Sequence, residues 1–75
     1  NYSIAAKQAE IAGLVKENGF LDFSAYVEKL DSIEEILVSF FTLLEMVKRH
    51  LLIALQESLF GTISLYPSES AEMSN

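Results

Sequence analysis

The stretch SIEEILVSFFTLLEMVKRHLLIALQESLFGTISLYP, residues 32–67, decides the fold. It opens with Ser32-Ile33-Glu34-Glu35, the Ser-x-x-Glu form of a helix capping box. Glu34 and Glu35 suit the positive end of a helix dipole, and Lys48 and Arg49 suit the negative end. The spacing predicts a helix over 33–49. Residues 51–57 are then rich in apolar side chains, and residues 62–66 alternate polar and apolar. The four residues 58–61 between them include Gly61, so the two runs read as a β-hairpin. Pro67, which has no amide hydrogen for a ladder, ends the second strand.

Outward from this stretch, residues 3–18 form a predicted first helix, with Ser3 as its cap and Asn18-Gly19 as its stop. Ile4, Ile11 and Val15 share a face, with Ala12 and Leu14 on its flanks. Lys7 and Glu10 are spaced to pair on the other side. Phe20–Phe23 is a short strand or extended connector. Ser24 is the expected cap of a second helix over 25–30, from which Tyr26, Val27 and Leu30 face inward. The order is helix, short strand, helix, long helix, hairpin. The expected fold class is therefore α+β, a winged helix of three helices with a C-terminal β-hairpin wing. It spans residues 1–67, and the polar residues 68–75 read as a disordered tail.

Composition sets bounds on function. Seventy-five residues suffice for one domain, which at this size buries roughly 60% of the surface of its unfolded chain. Half the residues, 51%, are hydrophobic, which supports a dense core. There is no cysteine, so neither a disulfide nor a thiolate metal site is available, in keeping with a reducing cytosolic setting. A formal charge of −6 makes nucleic acid a poor default partner. No apolar run approaches the roughly 20 residues that span a bilayer. The chain starts at Asn1, without a signal-type core, and reads as a piece of a longer protein.

On a helical wheel at about 100° per residue, Ile33, Ile36, Leu37, Phe40, Leu43, Leu44 and Val47 gather within a third of the circle. This is the expected core face. Phe41 lies at its edge, Val38 lies outside it, and Met46 lies on the opposite side, an incidental position. Val38 and Phe41 either pack under the wing and second helix or form an apolar stripe for a partner. In the hairpin, Ile53, Leu55, Ile63 and Leu65 are expected to face the core. Leu52, Ala54, Thr62 and Ser64 then face outward, and Leu52 with Leu59 gives the wing an apolar outer side. A free strand edge beside it suits β-augmentation. The candidate partner-binding residues are Val38, Phe41, Leu52 and Leu59.

Catalysis has no visible seat. His50 is the one histidine, without cysteine or an acidic cluster at ligand spacing. Glu34 and Glu35 point about 100° apart in a first turn, as capping and dipole residues do. The three glycines are isolated, which excludes a phosphate-cradling loop. No serine has a base beside it. No catalytic residue, cofactor site or metal site is expected.

The segment 33–67 also resembles the C-terminal domain of bacterial kleisins of the segregation and condensation protein A type. In that family a helix of the form F-x-x-L-L-E-[LM]-x-K leads into a strand ending in Gln-Glu, followed by an F-G-[DE]-I turn and strand. The matching residues are Phe40, Leu43, Leu44, Glu45, Met46, Lys48, Gln56, Glu57, Phe60, Gly61 and Ile63. Ser58-Leu59 and Thr62 depart from the pattern in the turn, and residues 1–30 agree in layout only. The resemblance implies a winged helix that binds the ATPase head of a structural-maintenance-of-chromosomes (SMC) protein. It also implies segregation and condensation protein B as a partner through other parts of the full-length protein, and a place at the nucleoid. Two alternatives compete. A DNA-binding winged helix needs basic residues on the third helix and wing, but residues 51–66 contain no Lys or Arg. A self-associating structural domain, weakly dimeric in isolation, would use the same apolar stripe.

Overall fold

A computed structural model describes residues 3–68. Its elements are α1 (Ile4–Asn18), β1 (Leu21–Asp22), α2 (Phe23–Glu28), α3 (Ile33–Lys48), β2 (Leu52–Gln56) and β3 (Ile63–Pro67). The three strands form an antiparallel sheet in the order β1-β3-β2. Three helices and this sheet make a small α+β fold compatible with a winged-helix-like arrangement. Of the expected tail, Ser68 is described and is buried; the rest lies outside the described residues.

Local chemistry accounts for the helix ends. The Ser3 hydroxyl accepts from the Ala6 amide at 3.1 Å, and Gly19 closes α1 at φ 82°. The Ser32 hydroxyl accepts from the Glu35 amide at 3.3 Å. Only this half of the capping box is seen, because the Glu35 carboxylate turns to α1 instead. At the far end of α3, the Leu51 amide donates to the Met46 carbonyl and the His50 amide to the Val47 carbonyl. His50 stands between them at φ 61°. That is a Schellman stop with histidine in the left-handed position usually held by glycine. The expected Ser24 cap is not formed. The helix starts earlier, at Phe23, and the Asp22 carboxylate accepts from the Ala25 amide at 2.9 Å. The Ser24 hydroxyl instead accepts from the Ile63 amide at 3.0 Å and ties α2 to β3.

The core is built from Ile11, Val15, Phe23, Leu43, Met46, Leu52 and Leu65. Two expectations are overturned here. On α3, Leu43 is buried and Ile36 and Val47 are half-buried, but Ile33, Leu37, Phe40 and Leu44 are exposed. Met46 is instead 1% exposed, with Ser39 and Thr42 buried alongside it. The two hydroxyls donate back to the carbonyls of Glu35 and Val38, at 2.8 and 2.7 Å, so neither enters the interior unpaired. Both side chains are short, which suits the close packing of α1 on α3. In the hairpin, β2 is inverted relative to expectation. Leu52 pairs with Pro67 and Ala54 with Leu65, so Leu52 and Leu65 turn inward together. Ile53 and Leu55 are exposed on the opposite face.

Lys7, expected on the outer side of α1, is 3% exposed. Its ammonium donates to the Glu35 carboxylate at 2.7 Å and to the Tyr26 hydroxyl at 2.8 Å, with Glu10 at 3.4 Å. The Tyr26 hydroxyl donates in turn to Glu10. This cluster joins α1, α2 and α3. Burial by itself would lower the Lys7 pKa, but the bonds to Glu35 and Tyr26 outweigh it and hold the pKa above its ordinary value. Burial, and then the bond to Glu10, also raise that of Tyr26. For two groups raised on folding, the stabilisation is complete below their unfolded values and fades as pH climbs through the folded ones. Thermal stability should therefore fall above about pH 10, and Lys7→Met should flatten that fall. At neutral pH, Glu35→Gln should cost about 1–3 kcal/mol in chemical denaturation, since it weakens a charge-assisted bond to a buried ammonium.

Candidate partner-binding surface

The exposed face of α3 is the more apolar of its two faces. Ile33, Leu37, Phe40, Phe41 and Leu44 fall within an arc of about 100° and lie roughly opposite Thr42 and Met46. All five are exposed, Phe41 at 66% and Leu44 at 64%. Phe40 is steadied from below, its ring meeting that of Phe23 edge-on at a centroid distance of 5.0 Å. Between this stripe and β2 runs an open groove of about 300 Å3, lined by Phe40, Leu44, Val47, Ala54, Leu55 and Ile63. On its far side β2 is an edge of the sheet.

The hairpin tip adds a second apolar projection. Leu59 and Phe60 are both exposed, Phe60 at 93% and with φ 65°. A phenylalanine in the left-handed region is strained, and this one packs against little. The turn beneath it is tightly made. The Gly61 amide donates to the Ser58 carbonyl at 2.9 Å, and the Gln56 side-chain amide donates to the Gly61 carbonyl at 3.0 Å. A Cβ on Gly61 would lie 2.7 Å from the Ser58 hydroxyl and 3.0 Å from its carbonyl oxygen, so only glycine fits without a shift. On the outer face of the sheet, Phe20 stacks on Tyr66 at 6.1 Å and covers part of it.

Four residues were expected to meet a partner. Phe41 and Leu59 are exposed. Val38 is half-buried, with its carbonyl engaged by Thr42. Leu52 is in the core and cannot present its side chain outward. The residues that sequence reasoning assigned to the interior, Ile33, Leu37, Leu44 and Leu55, are on the surface instead. Phe60 was passed over as part of a turn. One signal pointed to them: a chain of this size carries more large apolar side chains than its interior can hold.

Charge around the stripe is sparse. Glu34 and Glu45 flank it, and Lys48 closes its C-terminal end. Among the described residues, no group of three His, Asp or Glu side chains is placed to hold a metal ion. No helix among them is long and apolar enough to cross a membrane. No protein-family model matches the chain, and neither a curated protein nor a solved structure matches it.

The tip carries a test of whether Phe60 contributes to the fold. Phe60→Gly removes the left-handed penalty and a side chain with few contacts. It should leave stability unchanged or raise it by up to about 1 kcal/mol in urea denaturation. A clear loss of stability would mean that Phe60 packs within the fold.

Proposed function

We propose that this chain is the winged-helix, protein-binding module of a bacterial kleisin. It docks on the ATPase head of an SMC protein and helps to close the ring that condenses and segregates the chromosome. It acts by binding, without catalysis or cofactor, at the nucleoid in the cytoplasm. Segregation and condensation protein B joins through other parts of the full-length protein.

One observation carries this reading: the solvent-facing side of α3 is an unbroken apolar stripe that runs into a groove against the hairpin. A recognition helix that enters DNA needs polar and basic side chains on that face. This face has Ile33, Leu37, Phe40, Phe41 and Leu44, and a hairpin free of Lys and Arg. Apolar stripes on helices are matched by apolar grooves in other proteins. Phe41, Leu37 and Leu44 form the centre of the proposed contact, with Leu59 at the hairpin tip. Val38 lies at its margin, and Leu52 supports the hairpin from inside.

The test is titration of the cognate SMC head with this protein, with and without ATP, beside a titration of duplex DNA. Saturable binding to the head and no shift of DNA at about 0.15 M salt is the expected result. DNA binding without head binding would replace this reading with that of a regulator.

A further inference from the structure

The α3 stripe has a second property that the docking role leaves unused. Glu34, Phe41 and Lys48 lie seven residues apart, two turns each way, on one flank of the stripe. Phe41 is therefore midway between an anion at one end and a cation at the other. The apolar residues are spread to both sides of the same centre, with Ile33 and Leu37 before it and Leu44 after it. A surface with this layout is complementary to itself when turned by half a rotation.

We infer that, in the absence of another partner, this face pairs with a second copy of the same chain through antiparallel α3 helices. A twofold axis beside Phe41 sets the two Phe41 rings against each other. It brings Leu37 of each copy near Leu44 of the other, and Glu34 of each near Lys48 of the other. The two helix dipoles then run antiparallel, and both ion pairs lie on the rim, where they set orientation more than strength. One helix face per copy is a small contact, below the roughly 1,200 Å2 of stable interfaces, so the dimer is weak and reversible. The net charge of −6 per copy opposes it further. The inference does not rest on the SMC reading, because it concerns the chain alone. Were both true, the same stripe would hold either a second copy or the head.

The experiment is sedimentation equilibrium of the protein alone, from roughly 1 µM to 1 mM at about 0.15 M salt, a range that brackets weak association. A concentration-dependent dimer is expected. Leu37→Glu, at a residue 63% exposed, should leave the circular dichroism unchanged and remove the dimer. Glu34→Lys alone and Lys48→Glu alone should each weaken it about tenfold, as two attractive rim pairs become repulsive. The double variant Glu34→Lys with Lys48→Glu should restore association to near the original level. A monomer throughout the range would overturn the inference. So would a dimer indifferent to Leu37→Glu, or a double variant no better than the single ones. None of these outcomes bears on head binding, which is measured separately.

Discussion

Met46→Arg should unfold this protein, whereas Leu44→Arg, two residues earlier on the same helix, should leave it folded. Side chains two apart on a helix point about 200° apart, so one faces the core and the other faces water. Met46 is among the most buried side chains, packed with Ile11, Val15 and Phe23. A guanidinium there loses its hydration without a carboxylate to replace it, at a cost of several kcal/mol on top of the lost packing. A domain of this size has a total stability of only about 5–10 kcal/mol, so the loss is decisive. Leu44 is mostly in solvent, and the change to Arg should fall within about 0.5 kcal/mol of neutral. Thermal melts followed by circular dichroism compare the two directly. Equal melting of both variants would put Leu44 in the core and reverse the phase of α3. For contrast, reading the wheel by hydrophobicity alone predicts the opposite pair of outcomes.

Phe41→Arg should abolish the proposed docking on an SMC head while the domain melts as the parent does. Burying a large apolar side chain at an interface is worth about 1.5–3 kcal/mol, or roughly 10- to 150-fold in affinity. A charge forced into the same apolar contact adds to that loss. Phe41 lies midway along the length of the stripe, away from both ends of the proposed contact, where solvent is least able to accommodate the new group. Head pull-downs and titrations on a variant shown to be folded provide the measurement. A folded Phe41→Arg protein that binds the head normally would remove Phe41 from the contact, and would leave the hairpin tip, Leu59 and Phe60, to be tested in the same way.

The order of the elements and most of their ends were legible in the sequence because they depend on local chemistry. Ser3, Ser32 and Gly19 act on backbone groups a few residues away, and nothing distant competes with them. The hairpin was legible for the same reason, since residues 58–61 form a turn whose geometry only Gly61 permits. Where a local signal failed, a distant partner had claimed the residue. Glu35 leaves the capping box for Lys7, twenty-eight positions earlier, and Ser24 gives up a helix cap to hold the Ile63 amide.

Which faces turn inward was decided only in the tertiary structure. Hydrophobic periodicity gathers Ile33, Leu37, Phe40 and Leu44 on one side of α3, yet all four are exposed, so periodicity alone selects the wrong phase. The choice falls to packing: Ser39 and Thr42 are small, their hydroxyls are satisfied by their own helix, and they let α1 come close, while Met46 and Leu43 fill the space beside them. The same contact buries Lys7 against Glu35 on the α1–α3 seam. The parity of β2 was likewise undetermined by alternation, because residues 51–55 are apolar without a break. It is set by the left-handed turn at His50, which bonds Leu51 back to Met46 and delivers Leu52 into the core. One residue of slip there exchanges the two faces of a strand. For this reason the sequence by itself determined what the elements are and where most of them stop. The surface left for a partner was decided by how the helices and sheet excluded water from one another.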